Sequence, residues 1–228
     1  MKYQLHHGDC LAILPTLQDC SVDAIVTDPP YGISYQSARR TDATKRKDKI
    51  ANDDHPFVWF LWDSARVLKD DSFLVCFCEW RHQDAFRNAI RWAGLSIKGQ
   101  GVWDRCWHGM GDLKGQLAPQ HDLFWLAGKG KPEFYGKRLK SVLSHQRVSA
   151  ESLVHPTEKP VSLMREICYS VTPPGGTILD PFTGSGSTGK AAIIEDFKFI
   201  GIEREAEYIE IAKARLEAAV KYRSEFLF

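Results

Sequence analysis

The segment ILDPFTGSGSTGKAA, residues 178–192, constrains the fold more than any other part of the chain. Its apolar start is typical of a buried strand, and its glycines, Gly184, Gly186 and Gly189, are typical of a tight turn into a helix. Further strand patterns, such as SFLVCFCEW and KFIGIE, alternate with helix patterns such as KPVSLMREICYSV. We therefore predict an α/β fold with a mostly parallel sheet and helices on both faces.

Three classes of ligand bind glycine loops of this kind. The pattern from Gly184 to Lys190 approaches a P-loop, but Ala191 follows where a hydroxyl should bind Mg²⁺. The glycine spacing, with Glu203 about 20 residues on, fits an adenosine ribose, which NAD and S-adenosylmethionine share. Asp180 would repel a pyrophosphate and attract the ammonium and sulfonium charges of S-adenosylmethionine. The loop therefore favours S-adenosylmethionine and leaves NAD open.

Four acidic side chains fall at or just after predicted strand ends: Asp28, Glu79, Asp180 and Glu203. In parallel sheets, ligands bind beyond the carboxyl ends of the strands. We therefore expect the functional site at this edge of the sheet.

The stretch Asp28-Pro29-Pro30-Tyr31 has the chemistry needed to methylate an exocyclic base amine. Such an amine is a poor nucleophile because its lone pair is delocalised into the ring. Hydrogen bonds from its two N–H groups to the Asp28 carboxylate and the Pro29 carbonyl would favour the pyramidal, nucleophilic form. The two prolines make the turn rigid, and the Tyr31 ring can stack on an extruded base.

With these motifs the chain resembles the amino-group DNA methyltransferases, specifically the β group, in which the catalytic segment precedes the cofactor segment. The matching pieces are HHGDCLAILPTLQDCSVDAIVTDPPYG, HPTEKPVSLMREI, GGTILDPFTGSGSTGKAA and FIGIEREAEYIEIAKARL. They lie within residues 1–35, 56–95 and 154–220. The resemblance implies a Rossmann-like, S-adenosylmethionine-dependent methyltransferase with permuted motif order that acts on double-stranded DNA.

The resemblance also implies roles for individual residues. Asp28 and the Pro29 carbonyl would hold the target amine, and Tyr31 would stack on the flipped base. The cofactor would be bound by Asp9, Thr157, Lys159, Asp180, Pro181, Phe182, Gly184, Gly186, Gly189 and Glu203. Among these, Asp180 and the glycine loop would hold the methionine end, Glu203 the ribose and Asp9 the adenine amine. Thr157 and Lys159 would close over the methionine portion, and no metal is needed.

Asp28 bears on the choice of base. In the family, Asp at the first position of this motif mostly accompanies adenine N6 methylation and Ser mostly cytosine N4 methylation, so adenine N6 is favoured. Methylation of cytosine N4 or of RNA remains the alternative. A nucleic-acid-binding module that has lost catalysis is a further alternative, which the intact Asp28–Tyr31 motif disfavours.

The chain is expected to divide into three parts. Residues 1–105 form the catalytic half of the methyltransferase domain, residues 106–153 an inserted target-recognition region, and residues 154–228 the cofactor half. Net charge is only +1, yet basic residues cluster in the loop 36–55 and again near residue 137. We expect DNA contacts from Arg39, Arg40, Lys45, Arg46, Lys137 and Arg138. A recognition region this short suggests a brief target, relaxed specificity, or a homodimer that shares the reading of the target.

The cysteines and two of the tryptophans indicate structural roles, and the cysteines also bear on the cellular compartment. The six cysteines follow no disulfide or zinc spacing, which predicts free thiols and a cytoplasmic protein. Cys76 and Cys78 are expected to be buried core thiols, and Trp59 and Trp62 to lie on the packed face of a helix. No apolar run is long enough to span a membrane.

Overall fold

The computed structural model describes residues 2–32, 55–111, 113–149 and 158–226. Within these ranges eight strands form one sheet: β1 (Tyr3–His7), β2 (Val22–Thr27), β3 (Leu68–Cys78), β4 (Ser96–Asp104), β5 (His121–Lys129), β6 (Val142–Ser144), β7 (Thr177–Asp180) and β8 (Lys198–Glu203). The helices of the same ranges are α1 (Cys10–Ile13), α2 (Phe60–Val67), α3 (Gln83–Trp92), α4 (Val161–Val171), α5 (Ser187–Ile194) and α6 (Ala206–Phe226), with a 3₁₀ turn at Leu14–Thr16.

The strand order across the sheet is β1-β8-β7-β2-β3-β5-β4-β6. Every pairing is parallel except those of β5, which runs antiparallel to both β3 and β4. The prediction of a mostly parallel α/β sheet is confirmed. The carboxyl ends of β1, β8, β7, β2 and β3 therefore lie along one edge, and the beginning of β5 joins them there.

Helices cover both faces of the sheet because the central strands are apolar on both sides. In β3, Leu74, Cys76 and Cys78 pack in one cluster with side chains of α2 and α3. The alternate residues Val75 and Phe77 pack on the opposite face with α4, α5 and α6. Since Cys76 and Cys78 are fully buried, their prediction as core thiols is confirmed.

The prediction for Trp59 and Trp62 is wrong. Their side chains are 65% and 41% exposed, and the two rings stack on each other with centroids 5.9 Å apart. The buried face of α2 instead carries Phe60, Leu61 and Ala65. The apolar residues of this segment cover most of the helix, so hydrophobicity alone did not identify the face that packs.

The predicted recognition region contributes to the main sheet. Its strand β5 lies between β3 and β4, and its short strand β6 forms the edge of the sheet beside β4. The apolar pattern HDLFWLAG predicts β5 from the sequence, whereas β6 and the first strand, β1, were not predicted. None of the helices in the described ranges is long and apolar enough to cross a membrane.

Candidate active site

Residues Asp28–Tyr31, called the catalytic turn after their predicted role, follow β2 directly. The chain that leads into α2 packs against this turn. The Phe57 amide donates a 3.3 Å hydrogen bond to the Pro30 carbonyl. Gly32 has a φ of +81°, and a Cβ at this position would lie 2.3 Å from the Pro56 nitrogen, so a side chain is excluded on both grounds. The chain on either side of residues 33–54 therefore meets at the catalytic turn.

Both carboxylate oxygens of Asp28 accept hydrogen bonds. Oδ1 accepts one from the Tyr31 hydroxyl, and Oδ2 accepts one from Lys159 Nζ at 2.5 Å. The Lys159 ammonium also donates to the Tyr31 hydroxyl oxygen at 3.1 Å. In the described part of the chain, the carbonyl of Pro29 accepts no hydrogen bond and is free for a ligand.

Burial and charge act in opposite directions on these groups. Desolvation raises the pKa of Asp28, whereas the Lys159 ammonium and the Tyr31 hydroxyl lower it. Burial and the nearby Asp28 carboxylate hold the pKa of Tyr31 well above its usual value, so Tyr31 remains a hydrogen-bond donor. The turn therefore presents a carboxylate and a phenol in an environment largely sheltered from water.

Lys159 is only 5% exposed and lies between the Asp28 and Asp122 carboxylates. Its ammonium is within 6 Å of the ring centroids of Phe77, Tyr31 and Trp103, a distance at which cation–π attraction acts. It also lies 3.7 Å from the Asp122 carboxylate. The sequence assigned Lys159 to the methionine end of the cofactor, but its contacts are with the catalytic turn.

Asp180 connects this turn to the glycine loop. The Thr27 hydroxyl donates to Asp180 Oδ1 at 2.8 Å, and the Phe182 amide donates to the same oxygen at 3.1 Å. Burial raises the pKa of Asp180 to about 7, although hydrogen bonds from Thr188, Thr27 and the Phe182 amide oppose the shift. A carboxylate with such a pKa would be stabilised in its ionised form by a neighbouring cation.

The glycine loop turns the chain from β7 into α5. Gly184 and Gly186 have φ values of +51° and +86°, in the left-handed region that favours glycine. A Cβ at Gly189 would lie 2.6 Å from the Phe199 ring, so this glycine lets α5 pack closely on β8. Among the described residues, the buried Ser187 hydroxyl at the start of α5 has no hydrogen-bond partner.

Glu203 at the end of β8 fastens the glycine loop. Its Oε2 accepts a 2.7 Å hydrogen bond from the Gly184 amide, and its Oε1 accepts one of 2.8 Å from the Glu205 amide. Burial raises the pKa of Glu203, and these amides oppose that shift. Each oxygen keeps a second lone pair for a ligand.

Asp9 lies beside Glu203, because β1 pairs with β8 and the Gly8 amide donates to the Glu203 carbonyl at 2.9 Å. The Asp9 side chain caps α1 by accepting from the Leu11 amide at 2.9 Å. On the other side of the loop, Phe182 follows the buried Pro181 and packs edge-on against Phe57 and Phe60.

Sequence reasoning missed two charged residues close to Lys159 and its neighbour Glu158. Asp122 at the start of β5 pairs with Arg105, and it faces Lys159 as described above. The strand-end rule did not find Asp122, because β5 is antiparallel and brings its amino end to the ligand-binding edge.

The second group anchors the segment that carries Lys159. The Arg215 guanidinium donates to Glu158 Oε1 at 2.7 Å and to the Ser185 hydroxyl at 2.8 Å. The chain just before Lys159 is thereby tied to both α6 and the glycine loop. The sequence contained no local signal for this contact.

The remaining predicted residues fall in two groups. Lys137 and Arg138 are exposed on the connection between β5 and β6, where the Lys137 carbonyl accepts a 2.7 Å hydrogen bond from Ser170 of α4. Thr157, Arg39, Arg40, Lys45 and Arg46 lie outside the described residues. Within the described ranges, no group of three or more His, Cys, Asp or Glu could hold a metal ion.

Known proteins resemble this chain in sequence and in fold. A family model described as DNA methylase matches residues 22–214. YubD of Escherichia coli (strain K12) is 34% identical over 215 residues, covering 92% of this chain and 88% of YubD. The type II methyltransferase M2.MboI of Moraxella bovis is 27% identical over 250 residues, covering 94% of this chain and 87% of that protein. The crystal structure of the M1.HpyAVI–SAM complex matches with a TM-score of 0.73 at 26% identity, covering 94% of this chain and 100% of that one.

Proposed function

Because the chain belongs to the N6/N4 family of DNA methylases, we propose that it transfers a methyl group from S-adenosylmethionine to the N6 amine of an adenine flipped out of double-stranded DNA. The observation that carries the proposal is the hydrogen bond between Thr27, which directly precedes Asp28, and Asp180. This contact supports the proposal because it joins the residue before Asp28, the proposed acceptor for the amine, to Asp180, the proposed partner of a cationic cofactor.

The residues around the glycine loop fit S-adenosylmethionine. Glu203 keeps two lone pairs for ribose hydroxyls, and the Asp180 carboxylate, with its raised pKa, suits the ammonium or sulfonium charge. The unpartnered Ser187 hydroxyl adds a polar atom at the same loop. When bound, S-adenosylmethionine supplies a sulfonium methyl group, which passes to the amine nitrogen while the electrons of the broken C–S bond remain on sulfur. The M1.HpyAVI neighbour, solved as a SAM complex, supports this assignment.

The catalytic turn holds the target amine by two hydrogen bonds. One N–H donates to the Asp28 carboxylate and the other to the Pro29 carbonyl, so the nitrogen lone pair is aimed at the cofactor. Orientation and electrostatics supply the rate enhancement, because no covalent enzyme intermediate is required. The proton that nitrogen sheds after transfer passes to Asp28 and from there to water. Tyr31 packs against the flipped base.

Adenine N6 is the preferred target because Asp28 occupies the first position of the motif. The family model covers both N6 and N4 enzymes, and M2.MboI is a type II methyltransferase by name, so modification of a short double-stranded target is the expected context. We retain cytosine N4 as the second candidate, because an exocyclic cytosine amine has the same two N–H donors.

DNA contacts are proposed on both sides of the catalytic turn. We propose that the basic residues of segment 36–55 contact the DNA near the flipped nucleotide, because Gly32 and Pro56, described residues on either side of the undescribed stretch 33–54, meet at the turn. We assign target reading to the non-strand parts of residues 106–153, which include the exposed Lys137 and Arg138. Residues 1–105 and 154–228 would then supply catalysis and cofactor binding within one domain, and a homodimer would extend the contact with DNA.

The proposal is tested by identifying the methylated nucleoside. Unmethylated plasmid DNA and a structured RNA are incubated separately with the protein and deuteromethyl-labelled S-adenosylmethionine, digested, and analysed by mass spectrometry. We expect labelled N6-methyldeoxyadenosine from the DNA. Labelled N4-methylcytosine alone, or label only in the RNA, would overturn the assignment of base or of nucleic acid.

A further inference from the structure

We propose that Asp122 is a positioning residue that shares the Lys159 ammonium with Asp28, and that moving Lys159 towards Asp122 frees Asp28 for the target amine. This inference rests on the proposed function, since it concerns how Asp28 becomes available to its substrate. It assigns a role to a residue that no sequence motif identified.

The first step is the competition at Asp28. In the structure, one Asp28 oxygen is engaged by Tyr31 and the other by Lys159 at 2.5 Å. A charge-assisted hydrogen bond of this kind is among the strongest that a carboxylate makes. Each oxygen keeps a second lone pair, but an incoming neutral amine gains Asp28 as a stronger acceptor when Lys159 weakens its hold.

The second step is the destination of Lys159. Asp122 Oδ2 lies 3.7 Å from Lys159 Nζ, which is close enough for attraction and too long for a hydrogen bond. A movement of about 1 Å would close that distance, well within the freedom of a lysine side chain. The rings of Phe77 and Trp103 lie 5.0 and 5.8 Å from the ammonium in the structure and favour its charge.

The third step is charge balance. Asp28, Lys159, Asp122 and Arg105 form a set of two anions and two cations, in which Arg105 pairs with Asp122. Lys159 is almost fully buried, so it needs an anionic partner in every state of the site. Asp122 supplies that partner once Asp28 is engaged by substrate.

Other ionisable groups also face Asp28. Besides Lys159, Tyr31 and Asp122, its carboxylate interacts electrostatically with Asp180 of β7 and with the thiols of Cys76 and Cys78 in β3. The Asp122 charge raises the pKa of Asp28, and the Lys159 charge lowers it. Changes at Asp122 should therefore shift the titration of Asp28 in a defined direction.

The test compares three variants. In Asp122→Asn, Lys159 is left to Asp28 alone, so the Asp28 titration should move to lower pH and the single-turnover methylation rate should fall about tenfold. In Arg105→Gln, Asp122 loses its other partner and attracts Lys159 more, so the titration should move to higher pH. Asp104→Asn is the matched control, because Asn can keep the hydrogen bonds that Asp104 accepts from the Cys106 amide and Gln120.

The titration is followed by carbon-13 NMR of the labelled aspartate carboxyl, assigned with Asp28→Asn, without cofactor or DNA. Opposite shifts in Asp122→Asn and Arg105→Gln would support the inference, and general loss of structure would not produce them. The inference would be overturned if Asp122→Asn had the same Asp28 titration midpoint and the same methylation rate as Asp104→Asn. If the two variants showed opposite shifts but the wild-type protein methylated no DNA, the proposed function would be overturned. The sharing of Lys159 would still be supported.

Discussion

The Thr27 hydroxyl donates a 2.8 Å hydrogen bond to the buried carboxylate of Asp180. This bond joins adjacent strands β2 and β7, which lie far apart in sequence and carry the catalytic turn and the glycine loop. Because both side chains are buried, no water can replace either partner. This contact therefore fixes the two motifs relative to each other in addition to the backbone pairing of β2 with β7.

Thr27→Val removes the hydroxyl and keeps the shape of the side chain. We expect unfolding in urea to become easier by about 1–2 kcal/mol, because a buried carboxylate loses a donor. Affinity for S-adenosylmethionine should also fall. Thr16→Val is the control, since the Thr16 hydroxyl makes a local hydrogen bond to Ile13 outside the site. Equal effects of the two substitutions would contradict the role given to Thr27.

The raised pKa of Asp180 predicts pH-dependent cofactor binding. Its pKa of about 7 means that the carboxyl is mostly protonated at pH 6 and mostly ionised at pH 8. Only the ionised form attracts a cation, so affinity for S-adenosylmethionine should fall by up to about tenfold as pH is lowered from 8 to 6. Calorimetry at both pH values measures this. Asp180→Asn should bind weakly at both, and an unchanged pH dependence in that variant would assign the effect to another group.

Glu203→Gln tests how the glycine loop is held. The two oxygens of Glu203 each accept a hydrogen bond from a backbone N–H group. The Gln side chain has only one oxygen, so one of these N–H groups loses its acceptor. We expect the dissociation constant for S-adenosylmethionine to rise about tenfold or more, because the loop loosens and a ribose acceptor is lost. Glu207→Gln, at an exposed position of the first turn of α6, should leave binding unchanged.

Gly189→Ala tests whether the close packing of α5 outweighs the gain of about 1 kcal/mol in helix propensity that Ala brings over Gly. The added methyl would lie 2.6 Å from the Phe199 ring and 3.0 Å from Leu216, so α5 must move away from β8 and α6. We expect a loss of about 1–3 kcal/mol in the free energy of unfolding, measured in urea. Gly99→Ala is the control, because a Cβ at Gly99 meets nothing within 4 Å. A Gly189→Ala protein as stable as the control would show that the loop adapts.

The fold and the main acidic residues could be predicted because their signals are local. Asp28 follows a short apolar strand, Asp180 and Glu203 end such strands, and parallel strands bring their carboxyl ends to one edge. The glycine loop could also be predicted, from the spacing of its glycines. The left-handed backbone at Gly184 and Gly186 excludes most other residues.

Contacts made over long sequence distances could not be predicted in this way. Lys159 bonds to Asp28 from 131 positions away, and the resemblance placed it only in a cofactor segment. Asp122 was missed because the direction of β5 depends on strand pairing, which the residues of β5 do not reveal. The contacts of Lys159 with Asp28 and Asp122 were therefore accessible only from the structure.

The most direct test of the account is the methylation rate of Asp28→Asn under single-turnover conditions with saturating cofactor. Asn keeps the size of Asp28 and an oxygen for Lys159, so folding and cofactor affinity should stay near the wild-type values. The carboxylate that accepts the amine hydrogen bond is lost, and we expect transfer to slow by about 100-fold or more. Transfer within a few-fold of the wild-type rate would contradict the claim that Asp28 activates the target amine.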